Sequence, residues 1–300
     1  MALSFVPAKR DTLSLRDFIE WCDGDLSLHD PECTLEVADA IAAAAADRRL
    51  IPDFLVGELR NLRDFQSDNT YKPPTFVVHR GKGYTLRAVV WLPLEERLAP
   101  SLFSYYEAHD HNFSFYTCGC FGPGYTTDVY EYDPASVVGL PGERVNLRFL
   151  ERTTLPEGKV MYYRASRDVH VQLPPPSLSV SFNLILATAR KPRRQFDFDI
   201  ETGRIKAQVD AANWHQALFD AAALAGDERT LEVLVSIAET HPSSTVRALG
   251  WKTLIERHPS NADQFFAAAV RDGDAYVKHT AIKARRHGAE LHPEPRAVVS

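Results

Sequence analysis

The sequence predicts an α+β protein in which an antiparallel β-barrel or jelly roll of short strands is flanked by helices on both sides. Residues 12–66 carry apolar side chains at helical spacing. Residues 76–200 contain about ten short runs rich in β-branched and aromatic residues, separated by Gly, Pro and Asp. Helical periodicity returns after Arg204. A series of short strands with no helix between them is typical of an antiparallel sandwich or barrel.

The spacing of apolar residues changes twice along the chain, from helical to strand-like and back to helical. These changes divide it into an N-terminal helical segment (1–70), a β-domain (71–203) and an all-α C-terminal domain (204–300). The run from Tyr71 to Pro74 contains two prolines and cannot continue a helix. The predicted strands are 76–79, 84–92, 102–106, 109–118, 125–132, 145–150, 160–164, 169–173, 178–187 and 196–200.

The N-terminal segment has recognisable helix starts and stops. Ser14 and Asp17 predict the beginning of one helix, and Thr34 predicts the N-cap of a second, alanine-rich helix that ends before Pro52. A third helix follows, and its apolar face is predicted to contain Leu55, Leu59, Leu62 and Phe65.

Composition limits the possible partners. The chain has 300 residues, 45% hydrophobic and 25% charged, with a formal net charge of −6 that argues against a nucleic-acid partner. A basic run at 190–194 is interpreted as a solvated linker. No apolar run is long enough to cross a bilayer and no signal segment is recognisable, so we expect a cytoplasmic protein. Four cysteines are too few for a disulfide framework in a chain of this length and fit a reducing compartment.

The run from Tyr106 to Phe115 contains the strongest chemical signal. If it is extended, His109 and His111 share one face with Phe113 and Phe115. Two imidazoles on one strand provide half of a metal site, whereas the alternative is that they are ordinary polar residues near a turn. A third ligand must decide between these interpretations.

His170 is the candidate for that third ligand. It enters a predicted strand about 60 residues after the first pair, and a jelly roll allows a later strand to return beside an earlier one. The six histidines from His215 to His292 fall in or beside predicted helices, where caps or surface positions explain them.

Residues 76–187 resemble a cupin domain, and within that superfamily the three-histidine, cysteine-dioxygenase-like branch. The resemblance rests on His109-Asp-His111, the Gly122-Pro-Gly124 turn and His170 before the strand at Ser179. Most cupins have a glutamate four or five residues after the second histidine, where this chain has Phe115 and Tyr116. The resemblance therefore implies a metal held by His109, His111 and His170. Such a neutral set favours Fe(II), and other divalent transition metals fit the same ligand types.

The chain departs from that branch at positions that affect the substrate. Tyr116 and Ile185 stand near the positions of the branch's cysteine–tyrosine crosslink, so no crosslink is expected. Of the branch's Ser-x-His-x-Tyr motif only Ser181 remains. Asn183 would lie on the same face of the strand as Ser181, and both are candidates for hydrogen bonding to a ligand. Arg87 is the candidate for a substrate contact, with a salt bridge at the rim as the alternative. Free cysteine is therefore a disfavoured substrate.

Two acidic residues leave a second ligand set open. Asp128 and Glu131 lie in the predicted strand that forms a hairpin with the strand of His109 and His111, and their side chains would point to opposite faces. One of them would therefore face inward and could add a carboxylate ligand. The His-x-Asp pattern of 2-oxoglutarate oxygenases is absent because the residue two after His109 is His111. That cosubstrate is not expected.

The C-terminal domain weakly resembles HEAT-type helical repeats. Segments beginning at Ser244 and Ala275 align loosely, with Val246 over Val277. A plain helical bundle is the alternative. We expect this domain to support the fold or to bind a protein partner or a second copy of the chain. The predicted helices are 209–225, 230–240, 244–258, 262–270 and 275–286.

Three function classes follow. The first is a mononuclear non-haem metal oxygenase or related oxidoreductase that acts on a small amino-acid-like metabolite without 2-oxoglutarate. The second is a cupin metalloenzyme without redox chemistry, such as an isomerase, cyclase or hydrolase. The third is a non-enzymatic binding module in which the helices present the recognition surface.

Overall fold

The computed structural model describes residues 3–7, 11–24, 28, 30, 33–67, 69, 74–94, 104–187, 194–209 and 212–291. The start of the predicted strand at 102–106 and most of the basic run at 190–194 lie outside these residues, as does His292.

Contacts between residues divide the chain into two compact units. The first contains residues 1–136 and 144–206, and the second contains residues 137–143 and 207–300. The first unit combines the N-terminal helices with the strands. Where the independent folding domains begin and end stays a prediction.

The first unit contains three helices and the second contains five, within the described ranges. The helices are α1 (Leu15–Gly24), α2 (Thr34–Ala45), α3 (Leu50–Arg60), α4 (Ala212–Ala225), α5 (Glu228–Thr240), α6 (Ser244–Arg257), α7 (Ala262–Ala269) and α8 (Ala275–Leu291). The strands are β1 (Leu3–Phe5), β2 (Thr75–Gly81), β3 (Tyr84–Trp91), β4 (Ala108–His109), β5 (Phe115–Phe121), β6 (Thr126–Glu131), β7 (Arg148–Thr154), β8 (Val160–Tyr163), β9 (Asp168–Leu173), β10 (Ser179–Leu186), β11 (Gln195–Asp199) and β12 (Arg204–Val209).

The strands form two six-stranded sheets. The first sheet has the order β1-β8-β5-β10-β3-β2, and the second has the order β12-β11-β4-β9-β6-β7. The pairings between the named strands are antiparallel wherever a register is given. The α+β class is therefore confirmed. Neither sheet closes on itself among the described strands, so the sandwich, and not a closed barrel, is the arrangement observed.

Strand β10 lies in the middle of the first sheet and is buried on both faces. All eight of its residues are buried. Phe182 and Leu184 pack with the helices, whereas Ile185 joins an apolar cluster that also contains Val129 of the second sheet. Because neighbouring side chains in a strand point to opposite faces, the odd-numbered residues of β10 face the interior between the sheets.

Helices α1 and α2 cover the outer face of the first sheet. The small alanine side chains of α2 let this helix approach the strands closely, and Ile41 of α2 packs in the same cluster as Phe182. Phe18 of α1 contacts Phe182 with ring centroids 6.0 Å apart. The predicted cap of α1 is present, because the Asp17 backbone N–H donates to Ser14 Oγ at 3.2 Å.

Several predicted boundaries differ from the structure for identifiable reasons. Thr34 is the first residue of α2 and makes no cap; its side chain hydrogen-bonds that of Tyr116 instead. Helix α3 begins at Leu50, and Pro52 is tolerated in its first turn, where an N–H has no intrahelical partner. The short strands β1 and β12 were not predicted.

The most important correction concerns the strand predicted at 109–118. The structure divides it into β4 in the second sheet and β5 in the first sheet, joined by residues 110–114. The polar side chains of Asp110 and Asn112 favour a bend here over a continuous ladder.

The second unit confirms the predicted positions of its five helices within a few residues. Trp251 and Leu254 of α6 lie in its apolar core, together with Val277 of α8. Asp227 and Thr230 form a reciprocal capping box at the start of α5. Whether these helices form a repeat or bind a partner stays a prediction.

None of the described helices combines the length and apolar character needed to cross a bilayer. None of the four cysteines forms a disulfide bond. Cys118 and Cys120 are buried, and burial raises the pKa of both thiols, that of Cys120 to about 11. Their role in the structure is packing.

The contribution of the packing between the helices and the first sheet to stability can be tested by substitution. Phe182 is fully buried, so we expect Phe182→Ala to lower the free energy of unfolding by about 3–5 kcal/mol. Leu35→Ala is the control, because Leu35 is 59% exposed and its loss should change stability by less than about 0.5 kcal/mol. Equilibrium denaturation measures both, and equal losses would contradict the packing described.

Candidate metal centre

The second sheet brings two of the three histidines together. Strand β4 lies between β11 and β9, and His109 is paired in register with His170. Directly opposite residues in an antiparallel pair have Cβ atoms about 4.5–5.5 Å apart. A single pairing therefore places these imidazoles side by side, although 61 positions separate them in the chain.

His111 reaches the same place from the segment that crosses between the sheets. The backbone of this segment is held on both sides of the histidine. The Asp110 N–H donates to the Phe196 carbonyl at 3.1 Å, and the Ser166 N–H donates to the His111 carbonyl at 2.6 Å. His111 is thus positioned by hydrogen bonds of the crossing segment and not by a strand.

Asp110, between the two histidines, anchors this segment with its side chain. The carboxylate accepts from the Phe196 N–H at 2.6 Å and from the Tyr132 hydroxyl at 2.7 Å. Asp110 is fully buried, and burial raises its pKa to about 7 in spite of these hydrogen bonds. Its two acceptor atoms therefore join three separate parts of the second sheet.

The three imidazoles converge through their Nε2 atoms. His170 Nε2 lies 3.0 Å from His109 Nε2 and 3.1 Å from His111 Nε2. A first-row metal with bonds of roughly 2.0–2.2 Å and ligands at right angles would separate neighbouring nitrogens by about 3 Å. The spacing of these residues fits a single divalent metal.

The imidazoles have the protonation that metal binding needs. Burial lowers the pKa of His109, and it lowers the pKa of His111 and His170 well below the usual value. The positive charge of Arg87 lowers the pKa of all three further. Neutral imidazoles offer a lone pair, and His109 Nδ1, 3.1 Å from the Glu107 carbonyl, can donate to it and leave Nε2 free.

The two acidic candidates are engaged elsewhere. Glu131 pairs with Arg148 and with Arg164, the latter at 2.8 Å, and the pKa of its carboxyl is lowered to about 2, chiefly by the hydrogen bond from Arg164. Asp128 forms a bidentate pair with Arg152 at 2.5 and 2.6 Å. Among the described residues, the group suited to hold a metal contains the three histidines and no carboxylate.

Arg87, Asn183 and Ser181 lie on the interior face of the first sheet. Asn183 is the register partner of Arg87, and with its amide turned so that Nδ2 donates to Thr117 Oγ1, its Oδ1 accepts from Arg87 Nε at 3.3 Å. Ser181 accepts from the Trp91 indole N–H at 3.0 Å. Ser181 is opposite Gly119, farther along β10 from the aromatic residues that contact His111.

Arg87 is buried, and its role stays a prediction. Its guanidinium lies 5.8 Å from the ring centroids of Phe113 and Phe115. Both rings also contact His111, at centroid distances of 4.8 and 5.0 Å. The Arg87 guanidinium and the His111 imidazole thus share two aromatic neighbours.

Sequence reasoning missed Gln172 beside His170. The Gln172 side chain is 5% exposed, and its Nε2 lies 3.1 Å from His170 Nδ1. Its spacing could have indicated this contact, because residues two apart in a strand project from the same face. The anchoring roles of Asp110 and Tyr132 had no such signal, because they depend on contacts between segments distant in sequence.

Comparisons with known proteins add little to this geometry. No protein-family model matches the sequence, and no curated protein matches it. A structure of hydroquinone 1,2-dioxygenase from a Sphingomonas species with 4-hydroxybenzoate bound is 8% identical over 40% of this chain and 70% of that chain, with a TM-score of 0.28. A structure of DMSP lyases is 10% identical, with a TM-score of 0.26, over 40% of this chain and only 50% of that chain. A variant of oxalate decarboxylase from Bacillus subtilis is 10% identical over 51% of this chain and 31% of that chain, with a TM-score of 0.23. At these TM-scores the matches assign neither a family nor an activity.

The anchoring role of Asp110 leads to a stability prediction. Asp110→Ala removes two buried hydrogen bonds and leaves the Phe196 N–H without its side-chain acceptor, so we expect a loss of about 2–4 kcal/mol in the free energy of unfolding. Asp110→Asn keeps an oxygen for Phe196 and should lose less than half as much. The exposed Asp11→Ala is the control in the same denaturation experiment. A loss no larger for Asp110→Ala than for Asp11→Ala would contradict the anchoring role.

Proposed function

We propose that this chain is a cupin-type mononuclear non-haem metal oxygenase, with Fe(II) held by His109, His111 and His170, that oxidises a small amino-acid-like metabolite without 2-oxoglutarate. The observation that carries the proposal is the convergence of three Nε2 atoms at 3.0 and 3.1 Å. When bound, a metal on three neutral imidazoles supplies open coordination positions for a chelating substrate and for dioxygen.

The choice of Fe(II) rests on the oxidative reaction proposed, because the donor set accepts several divalent metals. Three imidazoles without a carboxylate leave the positive charge of a divalent metal uncompensated, so the centre is suited to an anionic substrate. Zn(II), Mn(II), Ni(II) and Cu(II) accept the same imidazole donors. We therefore propose Fe(II) for the oxidative reaction. A metal analysis of the purified protein would show whether one of the other metals is bound instead.

Arg87 supports a substrate that carries an anionic group. A buried guanidinium is an efficient partner for a carboxylate because its planar fork can donate two parallel hydrogen bonds. Asn183 Oδ1 accepts from Arg87 Nε and so orients the side chain. A substrate with a carboxylate near Arg87 and a second heteroatom near the histidines would be amino-acid-like.

The aromatic residues supply a dry lining for the reacting atoms. Phe115 stacks on Tyr163 with ring centroids 4.9 Å apart, and Tyr163 lies 4.8 Å from the ring of His170. Trp91 and Tyr125 belong to the same apolar cluster, and their ring centroids are 4.2 Å apart. Exclusion of water by such side chains strengthens polar contacts inside the site and protects reactive oxygen species from side reactions.

Metal binding is the first prediction of the proposal. The unsubstituted chain should bind about one divalent metal, and His109→Ala, His111→Ala or His170→Ala should each weaken binding by more than about 100-fold, since loss of a ligand costs more than loss of its outer partner. His215→Ala is the matched control because His215 is exposed on α4. Elemental analysis and competition with a chromophoric chelator measure the effect. Equal binding by the control and the three variants would overturn the ligand set.

Oxygen consumption is the second prediction. The Fe(II) form should consume oxygen with at least one member of a panel of thiols, amino acids and their derivatives, both with and without 2-oxoglutarate. Carboxylate-bearing members should react better than their decarboxylated amine analogues, and Arg87→Gln should reduce that preference roughly 10-fold or more, as expected for a charge-assisted hydrogen bond of about 1.5–3 kcal/mol.

Two results would contradict this mechanism. A strict need for 2-oxoglutarate would place the chain in another class of oxygenase. Turnover that proceeds equally well without oxygen would favour the non-redox alternative, in which the metal acts as a Lewis acid. Arg49→Gln, which changes an exposed arginine far from the histidines in the chain, is the control for Arg87→Gln.

A further inference from the structure

Helix α3 and the turn that follows it carry apolar side chains that the fold leaves in solvent. The spacing of these residues predicts an apolar face, and such a face is normally buried. In the structure the large side chains of this face are 44–66% exposed: Leu55, Val56, Leu59, Leu62 and Phe65. We call these five residues the α3 patch. No other helix in the described ranges exposes more than two large apolar side chains.

The patch is exposed although its helix is fixed to the first sheet. Phe54 and Phe65 both contact Phe76 of β2, with ring centroids 6.4 and 5.9 Å apart. Leu50, at the start of the helix, is buried. The helix therefore lies against the sheet on one side and presents the α3 patch on another.

Strand β2 is the edge of the first sheet next to this helix, and its backbone groups there are already hydrogen-bonded. Gln66 Oε1 accepts from the Val77 N–H at 2.8 Å, and Gln66 Nε2 donates to the Val77 carbonyl at 3.1 Å. Asn69 Nδ2 donates to the Thr75 carbonyl at 2.7 Å. A strand from another chain could not pair with these residues without displacing both side chains. The helix face is therefore more accessible to a partner than the strand edge.

The α3 patch has the size of one side of an interface between two chains. Five side chains of this size at about half exposure present on the order of 400–500 Å² of apolar surface, as much as the largest patches of typical monomers, which often mark binding sites. A stable interface covers about 800 Å² on each partner, and about 56–65% of that area, or roughly 450–520 Å², is apolar. The patch thus supplies nearly all the apolar area that one side of a dimer needs.

The charges of this segment argue against a membrane as the occupant. Residues 49–64 contain three acidic and three basic side chains, so the segment has no net charge. An amphipathic helix that binds an anionic lipid surface is rich in Lys and Arg on its polar face. Balanced charges instead favour a partner that carries both signs.

A second copy of the chain carries both signs at matching positions. Asp53 and Arg60 are exposed and border the α3 patch at Val56, because residues three and four apart are neighbours on a helix surface. An antiparallel pairing of two α3 helices about a two-fold axis near Val56 would place Asp53 of each copy opposite Arg60 of the other. Within one chain Asp53 pairs with Arg49 at 3.1 Å, and a pair between such exposed groups contributes little.

We propose that the α3 patch is the interface of a homodimer, in which two α3 helices pack antiparallel and Asp53 of each copy pairs with Arg60 of the other. Both copies use the same residues, so the interface closes on itself and leaves no second patch exposed. This places self-association on the first unit and not on the C-terminal helices, where the sequence allowed it. The inference is independent of the metal centre.

The mass of the intact chain in solution tests the proposal. Sedimentation over a range of concentrations should give twice the 33.7 kDa of one chain. Leu59→Glu should weaken dimerisation at least about 100-fold, because each dimer would contain two charges in the middle of the apolar contact. Leu35→Glu is the matched control, since Leu35 is 59% exposed on α2, and it should leave the dimer affinity within about threefold.

Charge reversal tests the antiparallel pairing separately. Asp53→Arg and Arg60→Asp each place like charges opposite one another and should each weaken dimerisation about 3- to 30-fold. The double variant restores opposite charges and should return the dimer affinity to within about threefold of the unsubstituted chain. A substitution that acted only on its own helix would not be repaired by the second one.

Four results would overturn the proposal. The first is an unsubstituted chain that stays a monomer at every concentration. The second is a dimer that Leu59→Glu and Leu35→Glu affect equally, which would place the interface elsewhere. The third is a double charge reversal that dimerises no better than the single variants. The fourth is a monomer that binds phosphatidylserine-containing vesicles and loses this binding in Leu59→Glu, which would make the patch a membrane-binding surface.

Discussion

The arrangement of the site depends on the place where the chain crosses from the second sheet to the first. His109 is still paired within the second sheet, Phe115 already belongs to the first sheet, and His111 lies between them. This crossing costs backbone hydrogen bonds that a continuous strand would have made. The buried Asp110 carboxylate and the backbone of Phe196 and Ser166 replace them. The crossing therefore gives one ligand to the interior and holds it with bonds that come from neither strand.

Sequence patterns predicted the fold class and the shared face of His109 and His111, and the resemblance to a cupin domain supplied His170 as the third imidazole. In β9, apolar and polar residues alternate clearly, because Val169, Val171 and Leu173 are separated by His170 and Gln172. The break between β4 and β5 was missed because the prediction followed the alternation of His109, His111, Phe113 and Phe115 and gave too little weight to the polar residues between them. The alternation of side chains correctly predicted that Phe113 and Phe115 contact His111. It wrongly predicted one continuous strand for these residues.

Two of the residues that sequence reasoning missed share one property. Asp110 and Tyr132 are joined by a hydrogen bond between groups whose proximity is a result of sheet order, and sheet order depends on pairings such as β4 with β9 and β11. Local spacing contains no information on such pairings. The ion pairs of Asp128 and Glu131 illustrate the same limit, since their arginine partners come from β7 and from the turn after β8. Only the tertiary structure shows that these carboxylates are already neutralised.

The burial of β10 on both faces has a consequence for attempts to change what the interior accepts. Its odd-numbered positions line the interior, and its even-numbered positions pack against α1 and α2. An enlarged side chain at Ser181 or Asn183 cannot be accommodated by an outward shift of the strand, because Phe182 and Leu184 already fill the space on the helical side. Attempts to reshape the interior should therefore begin with smaller residues on the second sheet, or with paired substitutions that remove volume from α2 while adding it to the interior.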